Sequence, residues 1–109
     1  MEKHLKGSLS TIVLKLLDDN GRMYGYEITQ KVKELTSGDI HITEGALYPI
    51  LHKLEAEEVL FAETEKVDGR IRKYYRITPK GNATVRDRVA ELRAFAENLN
   101  LILNPKASF

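Results

Sequence analysis

Residues Thr43 to Glu57 predict a helix with two different faces, one of which has the composition of a binding surface. Apolar side chains recur at the i, i+3, i+4 and i+7 spacing of a helix packed on a core: Leu47, Ile50, Leu51 and Leu54. The opposite face carries small, aromatic and basic side chains: Gly45, Tyr48, Pro49, His52, Lys53 and Ala56. Small side chains let another surface approach closely, and a helix N-terminus offers N–H donors to an anion. This face therefore indicates a binding site.

Two residues on this face are poor helix formers placed one turn apart. Inside a helix, glycine costs about 1 kcal/mol and proline about 3 kcal/mol relative to alanine. The ring of Pro49 crowds the carbonyl group of Gly45, where a glycine lets the backbone give way. Thr43 is the predicted N-cap, because its hydroxyl can accept a hydrogen bond from the first turn. Thr43 and Gly45 can also present backbone N–H groups to a phosphate.

A strip of basic residues follows this helix in the sequence. The strip contains six basic residues and one acid, Asp68. The basic residues are Lys66, Arg70, Arg72, Lys73, Arg76 and Lys80. The net charge is only +1, but a strip of one sign can still steer a protein onto phosphate. We predict phosphate or minor-groove contacts for Arg70, Arg72 and Lys73, which have no neighbouring acids to pair with. The alternative is a solvated edge strand whose charges only discourage aggregation.

The composition argues against several classes of function. A chain of 109 residues is expected to form one domain, and the absence of cysteine excludes disulfides, thiol nucleophiles and cysteine metal sites. The three histidines are not at metal-ligand spacing, and no catalytic motif or glycine-rich phosphate loop occurs. We therefore predict no enzyme activity, no metal and no cofactor. No apolar run reaches membrane-spanning length, so a cytoplasmic protein without a membrane partner is expected.

The rest of the chain predicts a small set of helices and strands. A first amphipathic helix is expected from about Leu5 to Asp19, ended by Asn20-Gly21. After a link at residues 22–25, a second helix carries Ile28, Val32 and Leu35 and stops at Ser37-Gly38. A short strand is plausible at residues 40–42. Alternating residues at 60–66 and 71–77, joined through Asp68-Gly69, predict a β-hairpin.

A long last helix is predicted to begin at Thr78-Pro79, as N-cap and first helical residue, and to end at Asn104-Pro105. Its apolar residues step by four and three, as in a coiled-coil seam: Val85, Val89, Leu92, Ala96, Leu99 and Leu103. The most economical partner for this seam is the same helix of a second copy, with Phe95 also at the interface. The alternatives are that the seam folds back on the first helix, and that Phe95 and Leu99 line a ligand pocket.

Two helices, a third helix and a basic hairpin together predict a mainly α (α+β) winged helix-turn-helix. We expect a DNA-binding unit at residues 1–78, a dimerisation helix at 79–104 in the same compact unit, and a frayed tail at 105–109.

Four sequence blocks resemble the PadR family of bacterial transcriptional regulators. They are Tyr24-Gly25-Tyr26-Glu27-Ile28, Glu44-Gly45-Ala46-Leu47-Tyr48-Pro49-Ile50-Leu51, Lys53-Leu54-Glu55 and Arg72-Lys73-Tyr74-Tyr75-Arg76-Ile77-Thr78-Pro79-Lys80-Gly81. The resemblance extends from about Leu5 to Gly81, and the single C-terminal helix is similar to that of the family's short subfamily. The chain lacks the tryptophan with which some short members hold flat aromatic drugs.

The resemblance implies a dimeric repressor that binds a pseudo-palindromic DNA operator and responds to a small hydrophobic compound or controls efflux genes. The helix from Thr43 would enter the major groove, with the hairpin as the wing. The implied DNA-binding residues are Tyr24, Thr43, Gly45, Tyr48, Pro49, His52, Lys53, Arg70, Arg72 and Lys73. Tyr48 and Lys53 would reach phosphate, and His52 a base edge or phosphate. The alternatives are a winged-helix module that binds an acidic protein, and a small-molecule-binding dimer without a DNA role.

Overall fold

The computed structural model describes residues 3–105 as five helices and a three-stranded antiparallel sheet. In chain order the elements are α1 (Lys3–Lys6), α2 (Leu9–Asn20), β1 (Arg22–Tyr24), α3 (Gly25–Leu35), α4 (Glu44–Ala56), β2 (Leu60–Val67), β3 (Arg70–Ile77) and α5 (Gly81–Leu103). The sheet order is β1-β3-β2. Helices α2, α3 and α4 with the β2–β3 wing form the predicted winged helix-turn-helix. Of the predicted tail at 105–109, only Pro105 lies within the described residues.

The first predicted helix is divided in two. Gly7 and Ser8 form a turn between α1 and α2, so the continuous helix expected from Leu5 to Asp19 was wrong at its start. The predicted end is confirmed, because Gly21 has a φ of 83° and donates its backbone N–H to the carbonyl oxygen of Leu17 at 2.9 Å. A left-handed conformation at this position favours glycine.

The short strand lies in a different place from the one predicted. Residues 40–42 form no strand, because the Ile40 N–H donates to the Thr36 hydroxyl at 3.0 Å instead of joining a ladder. The strand is β1, which pairs antiparallel with β3 in the register Arg22 to Arg76 and Tyr24 to Tyr74. The segment predicted as a link therefore anchors the wing to the rest of the fold.

The hairpin agrees with the prediction. Val67 pairs with Arg70, and the two residues between them, Asp68 and Gly69, have φ values of 51° and 78°. Two consecutive positive φ angles are typical of a type I′ turn, whose twist matches that of the flanking strands. The turn therefore fixes the β2–β3 register over its whole length.

The core lies between α2, α3, α4 and the inner face of the sheet. The largest fully buried side chains are Leu9, Val13, Leu14, Leu17, Ile28, Ile42, Leu47, Leu51, Leu54, Leu60 and Tyr75. In the range 3–105 no helix combines the length and apolar character that crossing a membrane requires.

Helix α5 begins at Gly81, later than the Thr78-Pro79 start predicted from sequence. Thr78 nevertheless fixes the start of the helix. Its hydroxyl accepts a hydrogen bond from the Gly81 N–H at 2.9 Å and donates one to the Glu58 carbonyl oxygen at 2.7 Å. The first part of the predicted seam is covered by the chain itself. Val85 is 3% exposed in the core and Val89 packs against it, which follows the fold-back alternative. The Val85 side chain is thus already buried and is not available for contact with a second copy of the chain.

Candidate nucleic-acid interface

Helix α4 has the two faces that its sequence predicts. Leu47, Leu51 and Leu54 are buried, whereas the opposite face is exposed at Gly45, Tyr48, Pro49, His52 and Lys53. The Thr43 hydroxyl accepts a hydrogen bond from the Ala46 N–H at 3.1 Å, so Thr43 is the N-cap. The fold therefore presents most of this face to solvent, whereas the Tyr48 ring is 37% exposed and also packs against the body of the domain.

Tyr48 lies against the first residue of α3. A Cβ atom on Gly25 would stand 2.6 Å from the Tyr48 hydroxyl oxygen, so only glycine allows the ring to sit there. The sequence predicts Gly25 only as the end of the link at residues 22–25, and this close approach appears only once α3 and α4 are in place. Burial of the ring, with the Glu44 carboxylate nearby, raises the pKa of Tyr48. Its hydroxyl is therefore protonated at neutral pH and can donate to a phosphate oxygen.

The basic strip is more extensively paired than its sequence suggests. Lys73 lies 3.4 Å from Glu55, Arg76 lies 2.9 Å from Glu63, and Lys80 lies 3.1 Å from Glu58. The expectation that Lys73 lacks an acidic neighbour was wrong, because its ammonium faces the end of α4. Within residues 3–105, Arg70 and Arg72 have no ion pair. Lys66 on β2 is exposed and likewise without an ion pair there, so Lys66, Arg70 and Arg72 are the cations of the wing that remain available to an external anion.

A groove of about 580 Å³ separates the wing from α4. It brings together five of the predicted residues, namely Tyr24, Tyr48, Arg70, Arg72 and Lys73. The other predicted residues lie outside the lining of this groove: Thr43 is the N-cap of α4, and Gly45, Pro49, His52 and Lys53 are on the helix itself. Ile71, at the wing tip, also lines it and is 77% exposed. The sequence did not single out Ile71, because alternation in a strand normally turns isoleucine inward.

The second half of α5 exposes a row of apolar side chains. Phe95 is 59% exposed, Leu99 is 41% exposed and Leu103 is 80% exposed. Phe95 and Leu99 line one groove with Thr11 of α2, and Leu92 contributes to it. Leu92 and Ala96 also line an apolar groove of about 330 Å³ beside Ile12, Leu16 and Leu35. Within residues 3–105, this part of the predicted seam is left uncovered.

Comparisons with known proteins agree on one family. The model of the transcriptional regulator PadR-like family matches residues 13–87. An uncharacterized protein from Lysinibacillus sphaericus is 38% identical over 100 residues, which are 91% of each chain. The transcriptional regulator Rv3488 from Mycobacterium tuberculosis is 36% identical over 85 residues, covering 78% of this chain and 76% of that protein.

Solved structures of transcriptional regulators have the same fold. A regulator from Clostridium thermocellum has a TM-score of 0.80 at 28% identity, covering 91% of this chain and 96% of its own. A PadR-like regulator from Bacillus cereus has a TM-score of 0.79 at 26% identity, covering 94% of this chain and 98% of its own. The similarity thus includes the wing and most of α5.

Proposed function

Because this chain belongs to the PadR family of transcriptional regulators, we propose that it is a repressor that binds a pseudo-palindromic DNA operator as a homodimer. Members of this family are regulators rather than enzymes. The observation that carries the proposal is the exposed face of α4 beside a groove that holds two unpaired arginines, Arg70 and Arg72. Small side chains for close approach and cations for phosphate are the two requirements of a DNA-reading surface.

In this proposal α4 enters the major groove and the wing contacts the backbone. Gly45 and Pro49 let the helix approach the duplex, and His52 reaches a base edge. Tyr48 donates its hydroxyl to phosphate, and Lys53 adds a cation at the same helix. Thr43 stands at the helix N-terminus, where backbone N–H groups can bind a phosphate. Tyr24, Arg70, Arg72 and Lys73 line the groove through which the neighbouring backbone would pass.

The homodimer is proposed to form through the uncovered part of α5. Leu92, Phe95, Ala96, Leu99 and Leu103 supply the interface, while Val85 and Val89 support the helix from the core. A two-fold dimer presents two copies of α4, and the symmetry of the protein is then matched by the symmetry of the operator. Regulators of this family are typically dimeric and bind DNA, which supports this arrangement.

A small hydrophobic effector is the remaining part of the proposal. Phe95 and Leu99 line a groove next to α2 on the surface used for dimerisation. A compound there would regulate binding if it favoured one spacing of the two α4 helices, and a coupling of about 1–3 kcal/mol is typical of such regulation. Because the proposed target is chromosomal DNA, the proposed compartment is the cytoplasm.

Selection of bound duplexes from a random DNA pool tests the proposal. We expect an enriched sequence with two inverted half-sites whose centres lie about 34 Å, one helical turn, apart. Binding to that duplex should weaken steeply with salt, with a log–log slope near −0.9 per contacted phosphate. His52→Ala should change the preferred half-site, whereas Lys53→Ala should weaken binding to all sequences about equally. A pool that shows no enrichment even at low salt would show that the chain is not a sequence-specific DNA-binding protein.

A further inference from the structure

A row of stacked side chains crosses the outer face of the sheet, from the wing to the strand that precedes α3. The guanidinium carbon of Arg72 lies 4.1 Å from the ring centroid of Tyr24. The rings of Tyr24 and Tyr74 meet edge to face, with centroids 5.5 Å apart. The guanidinium carbon of Arg22 lies 3.9 Å from the centroid of the Tyr74 ring. We call these four residues the stacked row.

The register of the sheet creates this row. Tyr24 of β1 is directly opposite Tyr74 of β3, and both side chains leave the sheet on the face away from the core. Tyr24 is also fixed along the chain, because it precedes α3 and its N–H donates to the Glu27 carboxylate at 3.1 Å. The Tyr24 ring is therefore held by the body of the domain, although it contacts an arginine of the wing.

The two arginines of the row have different surroundings. Arg22 forms ion pairs with Glu63 and Glu65, so its charge is balanced within the sheet. Arg72 instead has its Nη1 atom 3.4 Å from the Tyr74 hydroxyl oxygen, and no carboxylate pairs with it in the described part of the chain. Arg72 also lines the groove between the wing and α4. One guanidinium is thus both unpaired and held in place beside the proposed DNA path.

We propose that Tyr24 and Tyr74 are positioning residues, which hold the guanidinium of Arg72 in the orientation that receives a DNA phosphate. This inference rests on the proposed function. A planar guanidinium can stack on an aromatic ring and still direct its N–H groups to phosphate, whereas a lysine ammonium cannot reproduce both contacts. Because the side chain is ordered before DNA arrives, less conformational entropy is lost on binding.

Arg70 provides a matched comparison within the same strand. It lies on the same face of β3 as Arg72 and lines the same groove. Among residues 3–105 it has neither a ring contact nor an ion pair. Its contribution should therefore depend on its charge alone, and lysine should replace it.

The test compares alanine and lysine at both positions on the duplex recovered from the random pool. We expect Arg72→Ala to weaken binding by about 5- to 10-fold and to lower the salt slope by about 0.9, and Arg72→Lys to recover only a small part of that affinity. At position 70, lysine should recover most of the affinity that Arg70→Ala loses. If Arg72→Lys binds much more tightly than Arg72→Ala, the positioning proposal is wrong. If the wild-type chain binds no duplex, the proposed function itself fails.

A second measurement separates positioning from DNA binding, because it uses the free protein. The ¹⁵N relaxation of the arginine Nε–H groups should show a more rigid side chain for Arg72 than for Arg70. Tyr24→Phe, which keeps the ring, should preserve that rigidity, and Tyr24→Leu should abolish it. Equal mobility of Arg70 and Arg72 in the wild-type protein would overturn the positioning role whatever the DNA experiments give.

Discussion

Leu99→Glu is expected to convert the proposed dimer into a monomer and to lower affinity for the proposed two-half-site operator by about 100-fold or more. The side chain belongs to the apolar row of α5 that no other part of residues 3–105 covers, and a glutamate there would have to be desolvated in the proposed interface. A monomer binds each half-site separately, and linkage of two binding modules is commonly worth 10²- to 10⁴-fold in avidity. Sedimentation at micromolar concentration and fluorescence anisotropy with the operator measure the two effects.

Ala90→Glu is the matched control for this prediction. Ala90 is exposed on the same helix and lies on the side opposite Leu99. The same charge at position 90 should leave both the oligomeric state and the affinity close to those of the wild type. A Leu99→Glu protein that sediments as a dimer would show that the second half of α5 is not the interface.

Gly81→Ala is expected to destabilise the fold by about 1–3 kcal/mol, although alanine is the better helix former. The added methyl group would overlap the carbonyl oxygen of Val59 and would lie 3.1 Å from the Thr78 hydroxyl oxygen. A backbone oxygen cannot move aside as the end of a flexible side chain can. Urea unfolding at one fixed protein concentration measures the difference in free energy, because the stability of a dimer depends on concentration.

Gly45→Ala makes the same chemical change in the first turn of α4 and should have the opposite effect. Although the sequence predicts that Gly45 eases the crowding by Pro49, nothing lies within 4 Å of a Cβ added at Gly45, the Pro49 ring included. Alanine should therefore stabilise the fold by up to about 1 kcal/mol. The same methyl group should weaken operator binding, since it stands on the surface proposed to approach the duplex. If the Gly81→Ala protein unfolds at the same urea concentration as the wild type, the close contact with the Val59 carbonyl oxygen does not require glycine at position 81.

Features set by local sequence were predictable. The Asp68-Gly69 turn, the alternation of the wing and the two faces of α4 each depend on residues close together in the chain. The family was also predictable, because the four sequence blocks that resemble it fall within residues 13–87, which the family model matches. The cap at Thr43 was also predictable, because its hydroxyl bonds within the first turn that follows it.

Features set by contacts distant in sequence were not predictable. Strand β1 is only three residues long and is defined by its pairing with β3. The Arg76–Glu63 ion pair and the stacking of Arg72 on Tyr24 form only because the sheet brings residues of different strands together. The apolar residues of α5 keep the same spacing from Val85 to Leu103. The pattern therefore could not show which of them pack on the chain's own core and which stay exposed.

The absence of cysteine from the chain permits a direct test of whether α4 is the helix that reads DNA. Ala56 is exposed at the end of α4, and Ala56→Cys would provide one attachment point for an iron chelate that cleaves nearby DNA. Asn98→Cys, on the distal part of α5, is the matched attachment point away from α4. On the selected operator, the label at position 56 should cut two symmetric clusters of nucleotides about one helical turn apart. Cleavage from position 98 alone, with the operator bound by both labelled proteins, would contradict this account.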